Sequence, residues 1–198
     1  QYNYMTKNNL DICGGDFVSI DEDNNFLREN FVPKTEEEIL ITMASNVPFA
    51  HPSVMIKKSF LITNKLRYGL NGHRNSEDLD LWILMYDRGA KFGNLNDVIL
   101  KYRILSTSMS RTNYKRMKEE SNRQFDYFVE THLLKFEYAF RVLLGNNINS
   151  DVIEKNIIRS SLRYFFLTKD IKILFKVFSK IKFINSISGA LSFFKLRF

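Results

Sequence analysis

The sequence predicts a mixed α/β chain that becomes all-helical after about residue 110. Two observations carry this. In the first part, β-prone runs (DICGGDFVSI, FLRENFV, KFGNL, DVILKYRIL) alternate with helix-patterned segments. From Tyr114 to Leu144, residues Phe125, Phe128, Val129, His132, Phe136, Phe140 and Leu143 recur at helical spacing. The predicted organisation is a sheet-containing part over 1–111 and a helical appendage over 112–198.

Residues 11–20 predict a short strand broken at Gly14-Gly15, with a turn at Asp21 to Asn25 and a returning strand in FLRENFV. Thr35 followed three residues later by Glu38 is a capping-box pattern, predicting a helix over 36–45. Ser53 to Ile56 is short and β-prone, Lys58 to Lys65 predicts one or two helical turns, and YGLNGHRN at 68–75 predicts a loop. Ser76 is placed to cap a helix from Glu77 to Arg88, closed by Gly89. Leu79, Leu81, Trp82, Ile83, Leu84, Met85 and Tyr86 cover nearly every face of that helix, so it is expected to be buried. KFGNL and DVILKYRIL predict two more strands. Gly145-Asn146-Asn147 stops the helix begun at Tyr114, and further helices are predicted over 151–167 and 169–182.

Composition narrows the function classes. With 44% hydrophobic residues and 26% charged, the chain is neither low-complexity nor broadly disordered. Its single cysteine, Cys13, excludes a disulfide framework and points to a reducing compartment. No apolar run is long enough for a simple spanning helix, and the start has no signal-peptide pattern. The chain opens on Gln1 rather than Met, so it is expected to be a piece of a longer one. The net charge of +7 is concentrated at the end: residues 159–198 hold nine Lys/Arg against Asp170 alone. In the predicted 169–182 helix, Lys169, Lys172, Lys176 and Lys180 form one stripe, with Ile171, Leu174, Phe175, Phe178 and Ile181 opposite. A basic amphipathic tail of this kind suits an anionic membrane surface. Nucleic acid is the weaker partner, because the aromatics share the apolar stripe and do not interleave with the lysines.

Three stretches could carry chemistry. The first is Ser76-Glu77-Asp78-Leu79-Asp80-Leu81-Trp82, with three carboxylates in the first turn of a buried helix. Acids there also compensate the helix dipole, and Trp82 could equally pack in the core or face a sugar. The second is Asn46 to Lys58, where Pro48 and Pro52 bracket His51; a simple turn would look the same. The third is Tyr102 to Arg111, where Arg103 and Arg111 flank a hydroxyl-rich loop. Such a loop could hold phosphate oxygens or simply leave a sheet.

In order and spacing, CGGDFVSIDEDN, PFAHPSVMIKKSFL, SEDLDLWILMYDRGAKFGNL and ILKYRILSTSMS resemble the second half of glycosyltransferase family 2, inverting enzymes with the GT-A fold. The resemblance covers roughly residues 1–111. It implies a partial GT-A-like mixed sheet with flanking helices, a nucleotide-sugar donor, and a glycan or lipid-linked acceptor. It makes Asp78 the catalytic base, Glu77 its helper in positioning the acceptor, and Trp82 part of the acceptor floor. His51, Arg103 and Arg111 become substrate-binding candidates. A divalent metal, Mg or Mn, is expected for the intact family member, with ligands mostly outside this chain. The Asp-x-Asp motif that holds it would precede residue 1, because Asp21-Glu22-Asp23 falls in a turn after the strand that follows the motif. Leu105 stands where some members have a histidine near the metal. The chain is accordingly expected to be inactive alone, and the parent enzyme to be cytoplasmic or peripheral on the inner membrane face. The competing reading is a non-catalytic membrane-surface or protein-interaction module.

Overall fold

A computed structural model describes residues 1–108, 112–146, 148, 150–181 and 183–197. Two units form: residues 1–35 with 48–121, and residues 36–47 with 122–198.

In the first unit, helix α1 (Tyr2–Lys7) precedes the central strand β1 (Ile12–Ile20). Strand β2 (Phe26–Asn30) pairs antiparallel with Phe17–Ile20, and the two-residue β3 (Met55–Ile56) pairs antiparallel with Ile12 and Cys13. Strand β4 (Phe92–Arg103) runs parallel to the whole of β1. The result is a four-stranded mixed sheet in which β1 is the hub. Helices α3 (Lys58–Thr63) and α4 (Glu77–Asp87) lie within the long crossover that a parallel pair requires. Helix α1, absent from the sequence expectation, contributes Met5 to an apolar cluster with Cys13 and Leu95.

Several expected boundaries are corrected. Gly14-Gly15 does not break β1. A methyl group at Gly14 would stand 2.6 Å from Asn94 Oδ1 and 2.9 Å from the Phe49 ring, so this glycine serves close packing rather than a turn. KFGNL and DVILKYRIL are one strand, β4. Asn96, the residue between the two, is absorbed where the register with β1 shifts around Asp16. Ser76 occupies the N-cap position of α4, but its hydroxyl reaches Glu120 Oε2 at 3.5 Å instead of capping the helix. Gly89, at φ +78, closes α4 in the left-handed conformation that suits glycine.

The second unit is helical: α2 (Glu36–Met43), most of α5 (Tyr114–Thr131), α6 (Leu133–Gly145), α7 (Asp151–Thr168), α8 (Ile171–Lys180) and α9 (Phe183–Arg197). The single helix expected over 114–144 is two. Thr131 turns its hydroxyl back to the Tyr127 and Phe128 carbonyls, at 2.9 and 3.2 Å, and the helical path breaks at His132. Helix α7 is the core of the unit, burying Ile153, Ile157, Ile158, Leu162 and Tyr164. Its Ser160 hydroxyl donates to the Ile41 carbonyl and Asn156 to Thr42 Oγ1, which pins α2 onto it. Arg163 is buried, bonded to Asp126 and to the Asn122 carbonyl and side chain, and its guanidinium lies over the Phe125 and Phe193 rings. Asp170 caps α8 by accepting from the Lys172 N–H at 2.8 Å. Among the described residues, no helix is long and apolar enough to cross a membrane.

Candidate functional site

Helix α4 delivers its acids to different tasks. Asp78, half-buried, accepts from the Leu79 N–H through Oδ1 at 2.8 Å. Its Oδ2 faces His51 Nδ1 at 3.9 Å, beyond hydrogen-bond reach, and among the described residues no donor bonds it. Asp80 is buried and holds the preceding loop: Asn71 Nδ2 donates to Oδ1 at 2.8 Å and the Asn71 N–H to Oδ2 at 3.5 Å. Glu77 is half-buried beside them, and its charge is felt at Tyr68.

Trp82 stands one turn beyond Asp78 on the same face. It is fully buried, which corrects the expectation that it lays its face against a sugar. Its ring is instead the base under three others, edge-on to Phe49, His51 and Tyr68 at centroid distances of 5.6, 6.0 and 6.2 Å. The exposed surfaces above it belong to His51 and Tyr68, both about two-fifths exposed. Tyr68 OH lies 3.1 Å from His51 Nε2. Burial, then the charges of Asp78 and Glu77, push the Tyr68 hydroxyl up in pKa, so it remains a phenol. The other imidazole nitrogen, Nδ1, is the one that faces Asp78.

The loop before α4 is tied from a distance. Glu120, in α5, accepts from the Arg74 and Asn75 N–H groups at 3.2 and 3.0 Å and from Asn75 Nδ2 at 2.7 Å. Burial pushes its pKa up, but the Asn75 and Arg74 hydrogen bonds outweigh that and hold it below the usual glutamate value. Tyr68, Asn71 and Glu120 were not foreseen as parts of this site. Tyr68 left one signal, an aromatic beside glycine in a polar loop; Glu120, 44 residues from Ser76, left none.

Of the candidate site residues, the structure brings together Asp78, Glu77, His51 and the supporting Trp82. Arg103 is elsewhere. Its guanidinium donates to the Asp21 and Glu22 carbonyls and to Asn24 Oδ1, clamping the β1–β2 turn beside a separate cleft of about 350 Å³. Arg111 lies outside the described residues. Asp21 is spent on its own turn, accepting from the N–H groups of Asp23 and Asn25 and from the Asn25 side chain. Among the described residues, no three His, Cys, Asp or Glu side chains gather to hold a metal ion. The ligands of the expected divalent ion are placed mostly outside this chain, and no step is derived through one.

A carboxylate edge beside two exposed rings suits a polyhydroxyl ligand: the carboxylate accepts from hydroxyls and the rings cover C–H faces. No family model matches the chain. It is 33% identical over 129 residues to the O-antigen biosynthesis glycosyltransferase WbnJ of Escherichia coli, covering 63% of this chain and 49% of that protein. It is also 33% identical over 136 residues to the uncharacterized glycosyltransferase MJ1057 of Methanocaldococcus jannaschii, covering 67% of this chain and 44% of that one. The chain is related to glycosyltransferases. It spans about half the length of these relatives.

Proposed function

We propose that this chain is the acceptor-side part of a family 2 glycosyltransferase with the GT-A fold. The reaction would transfer a sugar, with inversion, from a nucleotide-sugar donor to a glycan or lipid-linked acceptor in the cytoplasm. The observation that supports this best is Asp78 Oδ2, an unbonded carboxylate edge at a helix N-terminus beside the exposed His51 ring. The helix N-terminus favours the ionised carboxylate, which is the form a base needs. The acceptor hydroxyl would sit against Oδ2. Its oxygen forms the bond to the anomeric carbon as the bond to the nucleotide diphosphate breaks, and its proton passes to Asp78. Glu77 would orient the acceptor by accepting a second hydroxyl, while Tyr68 and His51 support its ring. A divalent metal in the intact enzyme would be held by residues outside this chain, and the chain alone is expected to be inactive.

The test joins residues 1–198 to the N-terminal half of the E. coli relative and supplies labelled nucleotide sugars with glycan and lipid-linked acceptors. Transfer should occur in the joined form, and Asp78→Asn should cut turnover by about 10²-fold or more, the lower range for removing a general base. Donor binding should be unchanged. If Asp78→Asn turns over normally while Glu77→Gln does not, the two roles are reversed; if neither matters, the assignment fails.

A further inference from the structure

Helix α8 does not use all of its apolar stripe for packing. Val177 and the following Ile181 are buried, and Ile173 and Leu174 are half-buried. Ile171, Phe175 and Phe178 stay exposed, Phe175 to 67%. At 100° per residue these three form a narrow strip along one edge of the buried face. Next to that strip, on the side away from the core, run the exposed Lys172, Lys176 and Lys180. The helix therefore presents three adjoining stripes: one buried, one apolar in water, one cationic. Helix α9 repeats the division. Phe193 is buried, while Ile187, Leu191 and Phe194, at positions i, i+4 and i+7, are exposed, with Lys195 beside them.

We propose that α8 and α9 dock the chain on an anionic lipid bilayer. Exposed phenylalanines would enter the boundary between headgroups and acyl chains, and the lysine stems would lie along it with their ammonium groups at the lipid phosphates. Charge selects this occupant. The exposed side of α8 carries Lys172, Lys176 and Lys180 and no acid, so a second copy offering the same face would be repelled. An anionic bilayer supplies the missing counter-charge and the apolar medium together. The proposal is independent of the glycosyltransferase reading.

The experiment is co-flotation of the 198-residue chain with vesicles of phosphatidylglycerol and phosphatidylcholine, against phosphatidylcholine alone. The chain should float with the anionic vesicles, stay behind with the neutral ones, and be released by raised salt. Lys172→Gln/Lys176→Gln/Lys180→Gln should weaken binding by about 10²-fold, each lysine contributing about fivefold near a charged surface. Phe175→Trp should shift its emission to the blue and be quenched by brominated acyl chains, which a purely electrostatic contact would not produce. All substituted side chains are exposed, so matched melting curves verify folding. Binding to both vesicle types alike, to neither, or undiminished in the triple glutamine variant overturns the proposal. So does single-stranded nucleic acid displacing the vesicles while Phe175→Trp stays unquenched. A dimer that Phe175→Ser converts to monomer would assign the face to a second copy instead.

Discussion

Removing the carboxylate of Asp80 should loosen the candidate site without touching Asp78. Asp80 is 3% exposed and receives one well-formed bond, from Asn71 Nδ2 at 2.8 Å, and one marginal bond from the Asn71 N–H. A hydrogen bond to a charged group contributes about 1.5–3 kcal/mol. Asn71 itself is exposed, so its released amide rehydrates and the lower end applies, about 1.5–2 kcal/mol. For a chain of this size that corresponds to a fall of about 3–8 °C in Tm. The local effect should exceed the global one. Asn71 follows Tyr68 by three residues, and without its anchor the 69–72 loop no longer restrains the Tyr68 ring against His51. Amide hydrogen exchange at 69–72 should accelerate in Asp80→Ala, while exchange in β1 should keep its pattern. Asp80→Asn retains an accepting oxygen and should lose less than the alanine variant. If Asp80→Ala melts with the unsubstituted chain and its loop exchanges no faster, the anchoring role is refuted.

Two further predictions concern stability. Glu120 is held below the usual glutamate pKa of 4.5, so its contribution is complete above that value and is lost as the pH falls through the lower folded pKa. Protection of the Arg74 and Asn75 amides, measured against their intrinsic exchange rates, should therefore fall below about pH 4.5, and Glu120→Gln should show low protection at every pH. In the helical unit, Arg163→Ala should destabilise by about 3 kcal/mol, the low end for breaking a buried ion pair, because Asp126 is about one-third exposed. Arg163→Met should cost less by filling the space between Phe125 and Phe193; urea midpoints that rank the two variants the other way would remove the packing argument.

What the sequence made legible follows from the range of the forces involved. The burial of α4 was readable because seven apolar residues on one helix leave no polar face for water. The turn at Asp21 was readable because the carboxylate bonds its own near neighbours. Strand β4 was read as two because Asn96 interrupts the apolar pattern, and only its register against β1 shows a bulge instead. His132 was read as part of a helix because periodicity does not register the backbone competition from Thr131. Of the two readings of Trp82, core packing and a face against a sugar, burial selects the first. An aromatic one turn beyond an acid looks the same whether a substrate or Phe49 covers it. Glu120 was invisible, since nothing local to it marks a partner in the 74–76 loop.

The site's order comes from a chain of dependences that begins at Trp82. That buried ring fixes the height of His51 and Tyr68, the two side chains that share a hydrogen bond above it. Tyr68 remains protonated because burial and then the carboxylates of Asp78 and Glu77 oppose a third negative charge. The Tyr68 hydroxyl and His51 Nε2 share one hydrogen bond at 3.1 Å, which leaves Nδ1 of the same ring facing Asp78 across 3.9 Å. At that distance the imidazole orients the carboxylate without closing a bond that an incoming hydroxyl would have to displace. Asp80 and Glu120 act on the same arrangement from outside, each tying down one stretch of the loop that carries Tyr68 into α4. The acids of the first turn of α4 therefore divide by burial. The buried one shapes the loop, and Glu77 and Asp78 stay half-buried, as the proposed acceptor site requires.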